Sequence, residues 1–330
     1  MEATSLAPRT ACPVCEDSQS RRMFEARDRL FGRPGTFHIQ SCDSCRTLFI
    51  TNPPIGEAMD EYYPAGYVAY TEAHASLVHR IRRRVSLAIF RARNRIPPRS
   101  WMTPFLAVLP LDGYARGFVL TPGGRHLDVG CGAGQFLEVS RSLGMEVCGV
   151  EPNPAAAKAA QSKGLSVTCG VLEDGGFPDR HFDLITMNHV FEHVGEPLVT
   201  LVEAGRILKP GGTLIVATPN AESLLLRLFG AYWFQLDAPR HLQIYTPDSI
   251  ARLAQIAHLR IARTRWLGHP VALAGSIYNR LVPNGKHAPR TVLHRLLLSP
   301  PVLWLLIVPT AMTNALCLGD SIEVWMTTAP

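Results

Sequence analysis

Between residues 124 and 220, short runs of consecutive apolar residues alternate with longer segments whose apolar residues recur every three to four positions. The first pattern suits a strand buried on both faces, the second an amphipathic helix. The runs predict strands over 125–130, 147–151, 166–169, 182–188 and 213–218. The segments between them predict helices over 134–143, 154–163 and 197–208. Gly164 stops the second helix, and the turn Lys209-Pro-Gly-Gly212 closes the third. Strands that alternate with helices need crossover connections, hence a parallel sheet with helices on both faces. Residues 260–266 and 322–327 are suited to the last two strands.

Outside this stretch the pattern changes. Residues 10–50 carry short alternating stretches at 36–40 and 47–50, too few to bury a core without a staple. Residues 51–75 are rich in Pro and Tyr and read as a linker with a short helix. Leu77, Ile81, Val85 and Ala88 fall at helical spacing and predict a basic amphipathic helix over 76–95, ended by Pro97 and Pro98. Residues 296–319 are uncharged and mostly apolar, which matches the length of a membrane span, but Pro300, Pro301 and Pro309 interrupt them. The expectation is two broken helices that cap the catalytic domain or lie in one leaflet of a membrane.

Charge sharpens this picture. The 330 residues carry a net charge of +6, but unevenly. From Ala73 to Leu111 there are eight arginines and no acid; from Ser249 to Gly319 there are seven arginines, one lysine and again no acid. Such blocks imply an anionic partner, be it a membrane surface, a nucleic acid or a phosphorylated substrate. Of the eight cysteines, four form two C-x-x-C pairs and four are scattered, which is not a secreted disulfide framework. Met1–Arg9 holds no apolar run of the kind a signal peptide needs, so the expected location is the cytoplasm, with peripheral contact at the inner membrane face.

Two motifs carry the chemistry. In His126-Leu-Asp-Val-Gly-Cys-Gly-Ala-Gly134 a strand turns into a helix, and glycines at 130, 132 and 134 let the backbone approach a ligand at a helix N-terminus. The spacing is G-x-G-x-G, not the G-x-G-x-x-G of dinucleotide binders. Glu151 ends the next strand, 17 residues after Gly134, where an acid can accept both hydroxyls of a ribose. Cys12, Cys15, Cys42 and Cys45 have the spacing C-x2-C-x26-C-x2-C. Four thiolates so placed make a closed tetrahedral site for Zn²⁺, which leaves the ion a structural role.

With these motifs the sequence resembles class I S-adenosyl-L-methionine (SAM)-dependent methyltransferases, in particular the ubiquinone-type and glycan-biosynthesis branch. Further matching stretches are Phe182-Asp-Leu-Ile-Thr-Met-Asn-His-Val-Phe-Glu-His-Val194, Leu208-Lys-Pro-Gly-Gly-Thr-Leu-Ile-Val-Ala-Thr-Pro219, Asp237-Ala-Pro-Arg-His-Leu242 and Tyr245-Thr-Pro-Asp-Ser249. The resemblance covers roughly residues 120–270. Residues 10–70 are similar to the cysteine-rich module that often precedes this domain in sugar methyltransferases. The resemblance implies an α/β fold with a Rossmann-like seven-stranded sheet, mostly parallel with one antiparallel strand, plus a small N-terminal zinc ribbon. It divides the chain into a module over 1–55, a linker with the basic helix over 56–120, and a methyltransferase domain over 121–330 with an apolar insertion at 271–319.

The resemblance also implies roles. The backbone of Gly130, Cys131, Gly132 and Gly134 would hold the methionine part of SAM, with Asp128 orienting the loop or the SAM amine. Glu151, followed by Pro152, would take the ribose; Leu172 and Glu173 would flank the adenine. Asn188, with His189, would lie beneath the sulfonium. His193 and His241 are candidates for a general base, since an imidazole titrates near neutrality; each could instead be a packed structural histidine, and His241 could contact substrate. Glu192 could bind a metal or pack against a helix end. Cys131, Cys148 and Cys169 are expected to be small packing residues. Asn52-Pro-Pro54 reads as a turn, because it lies far from the fourth strand where nucleic-acid amino-methyltransferases carry a similar motif.

The expected reaction is methyl transfer to a hydroxyl of a sugar, glycolipid or lipid-linked intermediate. An RNA methyltransferase is the alternative, although the basic residues are not interleaved with stacking aromatics. A deoxysugar C-methyltransferase would carry a further C-terminal domain, and the intact cofactor motifs argue against a non-catalytic zinc- and SAM-binding scaffold.

Overall fold

The structure, a computed structural model, describes residues 9–64, 85, 87–92, 94–96, 117–282 and 292–328. Seven strands form the central sheet. They are β4 (Arg125–Val129), β5 (Glu146–Glu151), β6 (Ser166–Cys169), β7 (Phe182–Asn188), β8 (Leu208–Pro219), β10 (Leu259–Leu267) and β11 (Ser321–Thr328). Their order is β10-β11-β8-β7-β4-β5-β6, with β11 antiparallel to both neighbours and the remaining pairs parallel. This is the doubly wound sheet that the alternation of strands and helices predicts, with the one reversed strand that the family resemblance implies. β4 is central: Arg125 at its start is exposed, and His126, Leu127, Asp128 and Val129 are buried.

The three helices predicted between the strands lie close to their expected positions, and a further one, at Pro247–Ile256, was not predicted. α2 (Gln135–Ser142), α3 (Pro154–Ser162), α4 (Pro197–Ile207) and α6 (Pro247–Ile256) fill the crossovers, and α1 (Glu57–Asp60) precedes them. α3 starts on Asn153, whose side chain accepts the Ala156 N–H, with Pro154 at its first position. α6 starts on a capping box between Thr246 and Ser249. The Lys209–Gly212 segment differs from expectation: it is not a free turn but the first part of β8, admitted by a register shift opposite Phe182 and Leu184, with Gly211 at φ 78°. The register pairs Leu208 with Phe182 and Thr213 with Leu184, so Lys209–Gly212 form a bulge within the strand in place of a separate turn.

Of the predicted basic helix, residues 85 and 87–92 are described and helical; Leu77 and Ile81 lie outside the described residues. Its buried face is also different. Val85 is exposed, whereas Ile89 and Phe90 are fully buried. Phe90 meets Phe118 and Phe136 edge-on, at 5.4 and 5.8 Å between ring centroids, and joins Leu184 and Ile215 on the sheet. The aromatic side chain has more apolar area to bury than Val85 or Ala88, and it sets the rotation of the helix.

The N-terminal module is a second, antiparallel sheet of β1 (Ser20–Ala26), β2 (Phe37–Cys42), β3 (Leu48–Ile50) and β9 (Gln243–Ile244). β9 comes from the methyltransferase half and pairs with β3 through Leu48 and Phe49. Packing therefore continues from module to domain: Cys12, Cys42, Cys45 and Phe49 share one core with Phe191, Tyr245 and Ile250. Between β10 and β11 the described residues of the apolar insertion form α7 (Pro270–Leu281), α8 (Val292–Leu297), α9 (Pro300–Leu305) and α10 (Ile307–Ala315); α5 (Leu224–Phe229), after β8, packs on α7.

Candidate functional site

The glycine loop leaves β4 and enters α2 with Gly130, Gly132 and Gly134 all at positive φ, between 54° and 78°. A side chain is excluded at two of them by space as well as by backbone strain. A Cβ on Gly130 would lie 2.4 Å from Val190 Cγ2, and one on Gly134 would lie 2.3 Å from Leu165 Cδ1. Glu151 ties the loop to the end of β5. Its Oε2 accepts the Gly132 N–H at 2.8 Å and its Oε1 accepts the Asn153 N–H at 2.9 Å. Burial raises its pKa, and these two backbone donors oppose the shift. Pro152 follows directly on the strand end. Asp128 is buried beneath the loop, where its Oδ1 accepts the Thr186 hydroxyl at 2.6 Å, and a chain continues through His126 to Ser140. Cys131 is buried with its thiol pushed up by burial, so it stays neutral, and Cys148 is pushed up to about 12 for the same reason. Both fit a packing role, but Cys169 is exposed at the end of β6, which corrects the expectation of burial there.

At the far side of the loop, Leu172 is buried and opens a 3₁₀ turn, and Glu173 Oε1 accepts the Thr200 hydroxyl of α4 at 2.6 Å. Asn188 ends β7 with both side-chain amide atoms buried and without a hydrogen-bond partner. Orphaned buried amides are rare and cost a few kcal/mol of desolvation, about 1–3 each. A polar ligand between the glycine loop and Asn188 would satisfy this one. The donor set, a backbone nest, a carboxylate and an orphaned amide around one strand-end crevice, fits SAM. His189 holds a left-handed backbone at φ 54°, and its Nδ1 meets Glu192 Oε1 at 3.0 Å.

Beside this crevice is a cavity of about 250 Å³, lined in part by His189, His193, His241, Asp237, Trp233 and Phe234. The structure thus brings both candidate histidines together, with ring centroids 4.7 Å apart and planes nearly perpendicular. His193 Nδ1 lies 2.9 Å from the Arg240 carbonyl and 3.0 Å from the Tyr63 hydroxyl. Because a carbonyl only accepts, Nδ1 carries the proton and Nε2 keeps its lone pair. His241 Nδ1 likewise meets the Gln235 carbonyl at 2.7 Å, which leaves its Nε2 bare, 3.8 Å from Glu192 Oε1 and 4.0 Å from Asp237 Oδ2. Burial, then the neighbouring His241, depresses His193 to about 4, against the pull of Glu192 and Asp237. Burial works against ionisation of Glu192, but the His189 bond and the nearby imidazoles bring it down to about 2. Its Oε2 also accepts the Thr218 hydroxyl at 2.9 Å. Glu192, His193 and His241 offer donor atoms within 4.8 Å of one another. Both Glu192 oxygens already have protein partners, which favours a proton-handling cluster over a metal site.

One wall of the cavity comes from the N-terminal module: Arg27, Arg29 and Leu30 line it. Asp28, fully buried, organises that loop by accepting the N–H groups of Leu30, Phe31 and Arg33 at 3.0–3.1 Å. It also pairs at 2.7 Å with Arg240, which is itself fully buried, bonded to Asp237 and to the Tyr62 carbonyl. None of Asp28, Tyr63 or Trp233 is a site candidate from sequence; only Arg240 and Asp237 lie in a motif that drew attention. Trp233 is buried with no partner for its indole N–H.

The four module cysteines converge as their spacing predicts, with all Sγ atoms within 4.8 Å of one another and neighbouring pairs at 3.4–3.5 Å. A tetrahedral ion with metal–sulfur bonds of about 2.3 Å needs sulfurs about 3.8 Å apart, so the set fits Zn²⁺. The two C-x-x-C turns are alike: Glu16 N–H bonds the Cys12 carbonyl and Arg46 N–H the Cys42 carbonyl, with φ 59° and 60° at the residue after each pair.

Comparison with known proteins accords with this geometry. A family model described as a methyltransferase domain matches residues 91–263. The chain is 35% identical over 150 residues to a ubiquinone biosynthesis O-methyltransferase of Bradyrhizobium sp., a match that covers 42% of this chain and 59% of that protein. It is 30% identical over 171 residues to the protein of the same description from Cereibacter sphaeroides, with 48% and 69% covered. The solved structure of a SAM-dependent methyltransferase from Archaeoglobus fulgidus is similar at TM-score 0.43 and 21% identity, over 62% of this chain and 86% of that one.

Proposed function

The chain belongs to the methyltransferase-domain family, among the class I SAM-dependent enzymes, and on that premise we propose that it methylates a hydroxyl of a sugar, glycolipid or lipid-linked biosynthetic intermediate. The observation that carries the reading is the crevice itself: a glycine nest tied to Glu151, the orphaned Asn188 amide, and beside them a cavity with two oriented histidines. SAM, when bound, supplies the electrophilic methyl group. Gly130, Cys131, Gly132 and Gly134 hold its methionine part, with Asp128 beneath the loop. Glu151 and Pro152 meet the ribose, Leu172 and Glu173 the adenine, and Asn188 and His189 the sulfonium side.

The acceptor sits in the cavity. His193 Nε2 takes the proton of the acceptor hydroxyl as the oxygen is methylated, because the Arg240 carbonyl holds the tautomer that leaves this nitrogen bare. Glu192 and Asp237 stabilise the imidazolium that results. His241, fixed by Gln235, contacts the acceptor, and the unpaired indole N–H of Trp233 supports a polar oxygen in this cavity. The polar His, Asp and Gln lining against Trp233, Phe234 and Leu236 suits a hydroxylated ring with an apolar extension. O-methylation in ubiquinone biosynthesis, the activity that the names of the relatives state, is the second reading.

Cys12, Cys15, Cys42 and Cys45 hold a structural Zn²⁺ in the module over 1–55. The segment 56–120 connects it to the domain over 121–330, of which 271–319 is an insertion. Calorimetric titration of SAM and S-adenosylhomocysteine into the zinc-loaded protein tests the cofactor site. Binding that Glu151→Ala abolishes is the expected result; folded protein that binds neither would refute the enzymatic reading.

A further inference from the structure

The insertion between β10 and β11 is built inside out. Over α8, α9 and α10 the one buried side chain between Val292 and Leu318 is the polar Thr310, whose hydroxyl donates to the Leu306 carbonyl. The large apolar side chains face outward instead: Val292 is 83% exposed, Leu305 77%, Val308 65% and Leu316 64%, with Trp304 and Met312 also exposed. Soluble proteins show single exposed apolar residues, but a contiguous set of this size marks an interaction surface. The helices are short, six, six and nine residues, and Pro300, Pro301 and Pro309 keep them so. Among the described residues no helix is long and apolar enough to cross a membrane.

We propose that α8–α10 form a monotopic docking surface that sinks into one leaflet of an anionic lipid bilayer and sets the acceptor cavity at the membrane interface. Three observations select a bilayer as the occupant. The segment from Ser249 to Gly319 has no acidic residue, while Arg280 in the last turn of α7 and Arg295 within α8 are exposed beside the apolar side chains, as suits acidic headgroups around an apolar interior. A second copy of the chain would be a poor fit, because an isologous contact would bring these arginines together with no carboxylate of the same surface to pair them. Trp304 supplies the amphipathic ring that favours the headgroup level.

The surface is continuous with the cavity. α10 and α9 pack on α7. α7 contributes Asn279 to the cavity lining and seats Phe234 against Gly275, where a Cβ would come within 2.3 Å of the ring. Leu30 and Phe234, at the cavity wall, are exposed apolar residues themselves. A lipid-linked acceptor could thus reach the histidines without its apolar part leaving the bilayer; this consequence, unlike the docking itself, rests on the acceptor reading above.

Flotation of the full, zinc-loaded chain with phosphatidylcholine vesicles, with and without phosphatidylglycerol, tests the proposal. Expected are binding that phosphatidylglycerol strengthens and salt weakens, quenching of Trp304 by brominated lipid that disappears in Trp304→Phe, and at least a tenfold loss of binding in Leu305→Glu/Val308→Glu. SAM titration of the same preparations reports folding and the cofactor reading independently, and the double variant is expected to bind SAM like the parent chain. Protein that binds SAM but floats with neither vesicle overturns the proposal. So does concentration-dependent self-association that the double variant abolishes, because a second copy would then own the surface. Flotation without SAM binding would leave the surface standing and remove the enzymatic reading.

Discussion

Asp28 holds the module and the acceptor site together, and its removal has a calculable consequence. Its carboxylate accepts three backbone N–H groups of the loop that walls the cavity, and it pairs with Arg240 at 2.7 Å, with both side chains fully buried. Breaking a buried pair from one side costs about 3–5 kcal/mol, because the remaining charge loses its partner. Arg240 keeps Asp237 and the Tyr62 carbonyl, so Asp28→Ala belongs at the low end, about 3 kcal/mol. With a urea slope of about 3 kcal/mol per M, this moves the unfolding midpoint down by about 1 M. In an Arg240→Met background the same substitution is expected to cost less by about 0.5–3 kcal/mol, the coupling of residues in direct contact. The functional readout is separate: Arg240 offers the carbonyl that fixes His193, so the acceptor KM and kcat suffer while SAM affinity holds. A midpoint shift below about 0.2 M, which is roughly 0.6 kcal/mol at that slope, would refute the argument that this buried pair anchors the module.

Gly134→Ala should weaken SAM binding and lower stability by about 2–4 kcal/mol, a left-handed backbone for alanine plus a clash with Leu165, measured by calorimetry and thermal melting; melting unchanged within a degree would contradict it. Chelation or Cys42→Ser should release one metal equivalent and abolish acceptor turnover, because the module forms a cavity wall; retained turnover in metal-free protein would refute a structural zinc. If His193 is the base, the acid limb of the kcat/KM profile lies near pH 4, not near 6.5, since only the neutral ring accepts a proton; a limb at 6.5 that persists in His193→Gln would assign the base elsewhere. The stability linked to the same group has a defined sign. Its folded pKa lies below the unfolded value, so the unfolded state binds more protons between about 6.5 and 4. That contribution is complete above pH 6.5 and is lost as pH falls toward 4.

The central sheet, the glycine nest, Glu151 and the four-cysteine cluster were legible in the sequence because each is written in local spacing. A run of apolar residues announces a buried strand whatever it pairs with, and glycines two apart at a strand end leave few backbone paths. Two C-x-x-C pairs define their own turns. His193 and His241 were nameable as candidates, but their tautomers were not, since these depend on the carbonyls of Arg240 and Gln235 that the fold brings to them. Only the tertiary structure pairs β9 with β3 and buries Asp28 against Arg240, 212 residues away. It also rotates the basic helix to bury Phe90 in place of Val85, turns Lys209–Gly212 into strand, and leaves Cys169 outside. Periodicity shows that a face is apolar but not what covers it. The helices α8–α10 read from sequence as broken helices that either cap the domain or lie in one leaflet, and the three-dimensional packing turned their apolar faces away from the core, because α7 and the sheet edge already pack beneath them.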